Sequence, residues 1–290
     1  MPLSPKTKTA TLTPLPMVVD NADRLREILS RLDQITGELG TVHVGNSVKA
    51  KYYGLVQRAA LVRQREALDA VVTLCETGHS AFAVCLLRPA YEELLWLEYL
   101  AKHKEVANDL LVQMCQHGIA ESLGAQSDFI GRAAMQELGF SMRYVKVRCA
   151  ADGAVVKSLR DLGAKLGWRQ GADSPSIAYL ARQVGREKEY PYLYHATSRF
   201  VHFSPHELVR RAWGNPREVK IGSGHFVGYW SAFALHWGLR IYVHSLIACG
   251  DLATLDSAEE EVSNELLALL KSYVPPVPII TKEELEWPWS

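Results

Sequence analysis

The segment Tyr190-Pro-Tyr-Leu-Tyr-His-Ala-Thr-Ser-Arg-Phe-Val-His-Phe-Ser-Pro-His206 concentrates more chemistry than any other part of the 290-residue chain. Read as a helix, it sets His195, Arg199 and His202 on one face, because positions three and four apart are neighbours, and leaves His206 just past the end. Tyr190, Tyr194, Thr197 and Val201 back the opposite face. Imidazole titrates near neutrality, and guanidinium clamps phosphate through paired donors. Together they suit the binding or cleavage of a phosphate ester. Cleaving RNA without a metal takes a base for the 2′-hydroxyl, an acid for the leaving oxygen and a cation for the phosphate charge. His202 and His206 are the acid and base candidates, and Arg199 is the cation. Downstream, Arg210, Arg211, Arg217 and Lys220 form a basic cluster suited to seat a nucleic-acid backbone.

Two further polar intrusions interrupt apolar helices. Arg88 precedes Glu92 by one helical turn, so the two can pair, and Glu93 follows in the same apolar surroundings. An Arg there is either an intrahelical ion-pair partner or one that orients the site. His236, Arg240 and His244 recur every four residues among Trp230, Phe233, Trp237 and Tyr242. They read as the polar edge of a buried helix.

Other chemistries lack their sequence marks. The chain has no phosphate-binding Gly-rich loop, no G-x-S-x-G and no H-E-x-x-H. Its one Glu-x-x-His, Glu76-Thr-Gly-His79, contains a helix breaker and has no second copy, whereas a di-metal carboxylate bundle needs two. Neither a metal nor a cofactor is expected. Lys plus Arg balances Asp plus Glu at 32 each, so any attraction to nucleic acid must be local. Five cysteines without a C-x-x-C pair fit reduced thiols and a cytoplasmic setting. The longest apolar stretch, 226–249, carries His236, Arg240 and His244, which are costly at a bilayer centre, so it reads as a buried helix and no membrane partner is expected.

Helical periodicity dominates the chain, so the expected fold is all-α, a multi-helix bundle. Helices are expected at about 21–39, 47–77, 81–103, 106–123, 125–138, 154–166, 176–184, 190–204, 225–249 and 257–273. Pro89 predicts a kink or two abutting helices in the third. Residues 142–148 are the one segment with β character. Ser174 is placed to cap the helix opened by Pro175. Residues 1–20 read as a flexible lead-in, 21–273 as a single helical domain, and 274–290 as a tail whose Pro275-Pro-Val-Pro278 excludes helix and whose Trp287 and Trp289 can dock.

Arg88-x-x-x-Glu92 together with Tyr194-x-x-x-Ser198-x-x-x-His202-x-Ser204-Pro205 resembles a bacterial family of uncharacterised helical proteins, over roughly residues 50–250. More distantly, the arrangement is similar to the HEPN superfamily, which includes metal-independent ribonucleases of toxin and antiviral systems. Those carry Arg, four to six residues, then His, and complete the site across a homodimer; six residues separate Arg199 from His206, with Ser204-Pro205 between them. The resemblance implies RNA as partner and a second copy of the chain; with the stripe and the basic cluster, Arg88, Glu92, His195, Ser198, Arg210 and Arg211 are expected around the substrate. The alternative is a noncatalytic binding or adaptor module for a protein partner, in which Arg88, Glu92, Ser198 and His202 hold the helices in register.

Overall fold

The structure, a computed structural model, describes residues 19–36, 51–215, 218–222, 224–250, 261–262, 264–268, 279–280 and 285. The protein is mostly helical. In chain order come α1 (Val19–Thr36), α2 (Tyr52–Glu76), α3 (Ser80–Lys102), α4 (Lys104–Glu137), α5 (Met142–Lys165), α6 (Ile177–Gln183), α7 (Glu189–Val201) and α8 (Pro205–Val209). A hairpin of β1 (Ala212–Asn215) and β2 (Glu218–Ile221), a 3-10 turn (Gly224–Phe226) and α9 (Val227–Ala248) complete the order. The described residues fall into two compact units. One holds α1, α2 from Arg58, α3 to Leu97, and everything from Arg186 onward; the other holds the first turns of α2 and Glu98–Gly185.

In the first unit, α9 is the core. Trp230, Phe233, Leu235, Leu239, Ile241 and Tyr242 are all buried, and each large apolar side chain so removed from water contributes about 1.5–3 kcal/mol. Gly238 permits close packing on α2 and α3, since a Cβ there would stand 3.2 Å from Leu68 Cδ1 and 3.7 Å from Leu87 Cδ2. Ser80 at the start of α3 donates to the Val227 carbonyl over 2.9 Å. α7 packs its aromatics onto the same helix. Tyr192 lies 5.8 Å from Trp237, and Phe200 meets Trp230 edge-on at 4.6 Å. On the outside, Arg26 of α1 donates to Glu76 over 2.8 Å and holds that carboxyl below its usual range. No helix among the described residues is long and apolar enough to cross a membrane.

In the second unit, α4 and α5 pack along each other around Leu110, Met135, Val145 and Leu159. Trp168 Nε1 donates to Tyr99 Oη over 2.9 Å, and Tyr179 Oη to the Leu166 carbonyl over 2.6 Å. His117 Nδ1 sits 3.0 Å from Asp152, joining the two long helices.

Several expectations change. Residues 142–148 are the first turns of α5, not an extended segment. In a strand Val145 and Val147 would share a face, yet Val145 is 4% exposed and Val147 60%. The stripe that counts is Val145, Cys149, Asp152, Val156, Leu159 and Gly163, which has helical spacing. The expected break between 123 and 125 lies instead at Gly131 (φ 78°, ψ 169°), and Gly124 is helical. Ser176, not Ser174, caps α6, accepting from Tyr179 N over 3.2 Å. Pro89 lies inside one continuous helix. The loop expected after α8 contains the hairpin, whose β2 residues are all exposed and so show no alternation. A Cβ at Gly214 would come within 2.1 Å of the Glu218 carbonyl oxygen, so only glycine fits that register. The described part of the expected 257–273 helix is helical. The lead-in to residue 18, Pro275–Pro278, Trp287, Trp289 and Arg217 lie outside the described residues.

Candidate functional site

α7 ends because Pro205 excludes helical geometry in the residue before it. His202 is extended (φ −111°, ψ 160°), and so is Ser204 (φ −136°, ψ 110°). Ser204 then caps a new helix, accepting from Glu207 N over 3.4 Å, with Pro205 in the first turn. The break turns the chain. It carries His206 back to α7, where Arg199 Nη1 lies 2.9 Å from His206 Nδ1. Arg199 Nε donates to the His195 carbonyl over 3.0 Å, fixing the guanidinium on its own helix.

These residues line a cleft of about 410 Å³ with Tyr194, His195, Ser198, His202, Phe203, Ser204 and Ile280. His195 and His202 are exposed, while Ser198, Arg199 and His206 are half-buried. The lining among the described residues carries three imidazoles and a guanidinium and no carboxylate. The guanidinium and the imidazole N–H groups are donors from which an anionic oxygen can accept. Phe203, 85% exposed, and Tyr194 add aromatic surface at the opening.

Behind the lining lies a second layer. Arg88 donates through Nε to Glu92 over 3.1 Å and through Nη1 to Ser198 Oγ over 3.0 Å, and its guanidinium stacks 4.6 Å from the Tyr194 ring. Neighbouring Glu93 is held separately by Arg63 and by Gln64, whose Nε2 donates to it over 2.9 Å. Burial, and then the Glu92 carboxylate, push the nearby Tyr190 hydroxyl above its usual range. The Arg88/Glu92 pair is thus half-buried, and it reaches the cleft through Ser198.

The basic cluster divides. Arg210 is 4% exposed; it donates to Glu207 over 2.7 Å and to the Ile279 carbonyl over 2.6 Å, and it lies 4.6 Å from the Trp230 ring. Arg211 stacks 5.8 Å from Phe82. Neither lines the cleft. His236, Arg240 and His244 are also elsewhere: Arg240 donates to Glu189 over 3.1 Å, and Arg186 reaches the same carboxylate over 2.6 Å. The acidic partner of that helix comes from α7, 51 residues away, which no local spacing could show. Burial, with Arg240 second, lowers the His236 pKa.

Glu76 and His79 make no metal pair. Glu76 is taken by Arg26, and His79 Nδ1 lies 2.8 Å from the Thr77 carbonyl. No group of three His, Cys, Asp or Glu among the described residues is arranged to hold a metal ion. Sequence reasoning missed Tyr194 as a cleft residue, and also Phe203 and Ile280. Helical spacing from His195 puts Tyr194 on the back of the stripe, yet positions 194 and 198 are one turn apart and 198 belongs to the same rim. Ile280 comes from a distant segment, anchored by the Arg210 contact to Ile279.

The model of a family of unknown function (DUF5677) matches residues 56–218, a span that includes the Arg88 helix, α8 and every described cleft residue except Ile280. No curated protein and no solved structure matches the chain.

Proposed function

The chain belongs to DUF5677, a family of unknown function, and from the cleft together with the Arg-to-His resemblance we propose that it cleaves RNA without a metal ion, as a HEPN-like ribonuclease. The observation that carries the reading is the 2.9 Å contact between Arg199 and His206, which brings the two ends of an Arg-to-His spacing together across a helix break. Arg199 donates to Nδ1, so the neutral His206 ring carries its proton on Nε2. An incoming phosphodiester competes for the guanidinium. Once Arg199 turns to the phosphate, His206 Nδ1 is open to protonation, and the ring becomes an acid.

In this reading His202, exposed at the end of α7, takes the proton of the 2′-hydroxyl. The 2′-oxygen bonds to phosphorus and the bond to the 5′-oxygen breaks. His206 delivers its proton to that leaving oxygen. The products are a 2′,3′-cyclic phosphate and a free 5′-hydroxyl, and Arg199 holds the charge that builds on the phosphoryl oxygens. The test is cleavage of a single-stranded oligoribonucleotide by purified protein in excess chelator. Wild type should cut, and Arg199→Ala with His202→Ala should lose at least about 10²-fold, the usual worth of one positioned acid or base. Undiminished cutting by the double variant would end the reading.

A second reading, the noncatalytic binding or adaptor module, is supported by the Arg88, Glu92 and Ser198 contacts, which tie α3 to α7. It predicts no cleavage by wild type and a stability loss on breaking that network.

A further inference from the structure

Half-buried Ser198 does not place its hydroxyl as buried Thr197 and Ser245 do. Thr197 donates back to the Leu193 carbonyl over 2.7 Å, and Ser245 to the Ile241 carbonyl over 2.9 Å, the usual resting place of a helical hydroxyl. Ser198 makes no such bond to Tyr194 among the described residues; its oxygen instead accepts from Arg88 Nη1 over 3.0 Å. Oxygen that accepts from a cation is polarised, and its own O–H becomes a stronger donor. Since Ser198 lines the cleft, that hydrogen is available on the side where His195, Arg199 and His202 are gathered.

We propose that Ser198 donates its hydroxyl hydrogen to an anionic oxygen of the ligand in this cleft, with Glu92 and Arg88 as positioning residues that hold it in that orientation. This rests on the reading of the cleft as a phosphate site and goes beyond it by assigning the donor that fixes the phosphate. Glu92 sets Arg88 through Nε, the Tyr194 ring supports the guanidinium face, and Nη1 turns the serine. Without Arg88, the hydroxyl would fall back on the Tyr194 carbonyl, as Thr197 does on its own.

The experiment measures binding of inorganic phosphate and of a non-cleavable 2′-O-methyl oligoribonucleotide to the full chain, alongside thermal midpoints. Ser198→Ala should weaken both by about 5- to 10-fold, the worth of one hydrogen bond to a charged group, and Ser198→Thr should restore most of it. Arg88→Gln should weaken binding by a similar factor, and the double variant should be no worse than about twofold beyond either single change, because the two residues act as one unit. Ser198→Ala within about twofold of wild type, with Arg199→Gln still weakening binding, would overturn the relay and leave the phosphate site standing. Wild type that binds neither probe would overturn both. Additive losses in the double variant would remove Arg88 from the relay. Should Arg88→Gln fail to fold, the Ser198 arms decide alone.

Discussion

Arg199 Nη1 and His206 Nδ1 lie 2.9 Å apart, joining the last turn of α7 to the first turn of α8 across the Ser204-Pro205 break. The break is what makes the contact possible. A continuous helix would carry residue 206 two turns beyond Arg199, about 10 Å along the axis. The contact fixes a tautomer: with Nδ1 accepting, the neutral ring is protonated on Nε2. Two-dimensional ¹H–¹⁵N spectra that resolve ring nitrogens should place the His206 proton on Nε2 in the ligand-free protein. Adding phosphate should convert it toward the doubly protonated form, and Arg199→Gln should remove the tautomer preference. A His206 protonated on Nδ1 without ligand would contradict the pair.

The helical class was legible because apolar stripes repeat with helical spacing, as in α1, where Leu25, Ile28 and Leu29 are buried. The stripe on α7 was legible for the same reason. What stayed hidden depended on distance in sequence. Glu189 answers Arg240, Ile279 answers Arg210, and Ile280 closes the cleft, each from more than 50 residues away. The Met142–Arg148 stretch misled because its β-branched residues favour strands, while the burial of Val145 in register with Leu159 decided for helix. Arg210 misled by type. A basic residue in a basic cluster reads as a ligand contact, yet here aromatic faces and Glu207 enclose it.

Arg210 supplies a stability prediction. It is 4% exposed and neutralises Glu207, itself only 9% exposed. Removing one partner of a buried pair leaves an uncompensated charge, a loss of about 3–5 kcal/mol. Arg210→Met should therefore lower the urea midpoint sharply, whereas Arg211→Ala should change the unfolding free energy by less than about 0.5 kcal/mol. Equal midpoints for the two variants would show that Arg210 carries no such load.

Gly163 and Gly124 make a matched pair on the second unit's helices. A Cβ at Gly163 would stand 2.3 Å from Trp168 Cε3, and one at Gly124 3.9 Å from Cys149 Sγ. Gly163→Ala must displace the indole that donates to Tyr99, and overpacking of this kind costs about 1–3 kcal/mol. Gly124→Ala meets ordinary van der Waals distance in a helix and should stabilise by up to about 1 kcal/mol. Denaturant titrations of the two variants should shift in opposite directions, and a shared sign would contradict the packing at Trp168.

His117 gives the stability its pH dependence between α4 and α5. Its ring hydrogen-bonds Asp152 at 3.0 Å and has Glu121 at 3.6 Å on the other nitrogen, and the Asp152 contact raises its pKa above the usual histidine value. A raised folded-state pKa means that the charged pair contributes fully below the unfolded value, near pH 6.5, and that the contribution is lost as pH rises through the folded value. Asp152→Asn abolishes the charge on one side of the pair. Its cost should be about 1 kcal/mol near pH 5.5, where the imidazolium is present in both states, because the pair is mostly but not fully shielded from water. At pH 9 the same substitution should cost measurably less, since the neutral ring needs only a hydrogen bond, which asparagine can still supply. Urea unfolding of wild type and variant at the two pH values measures the difference directly. An equal loss at both would assign the contact to hydrogen bonding alone and remove the charge from the account.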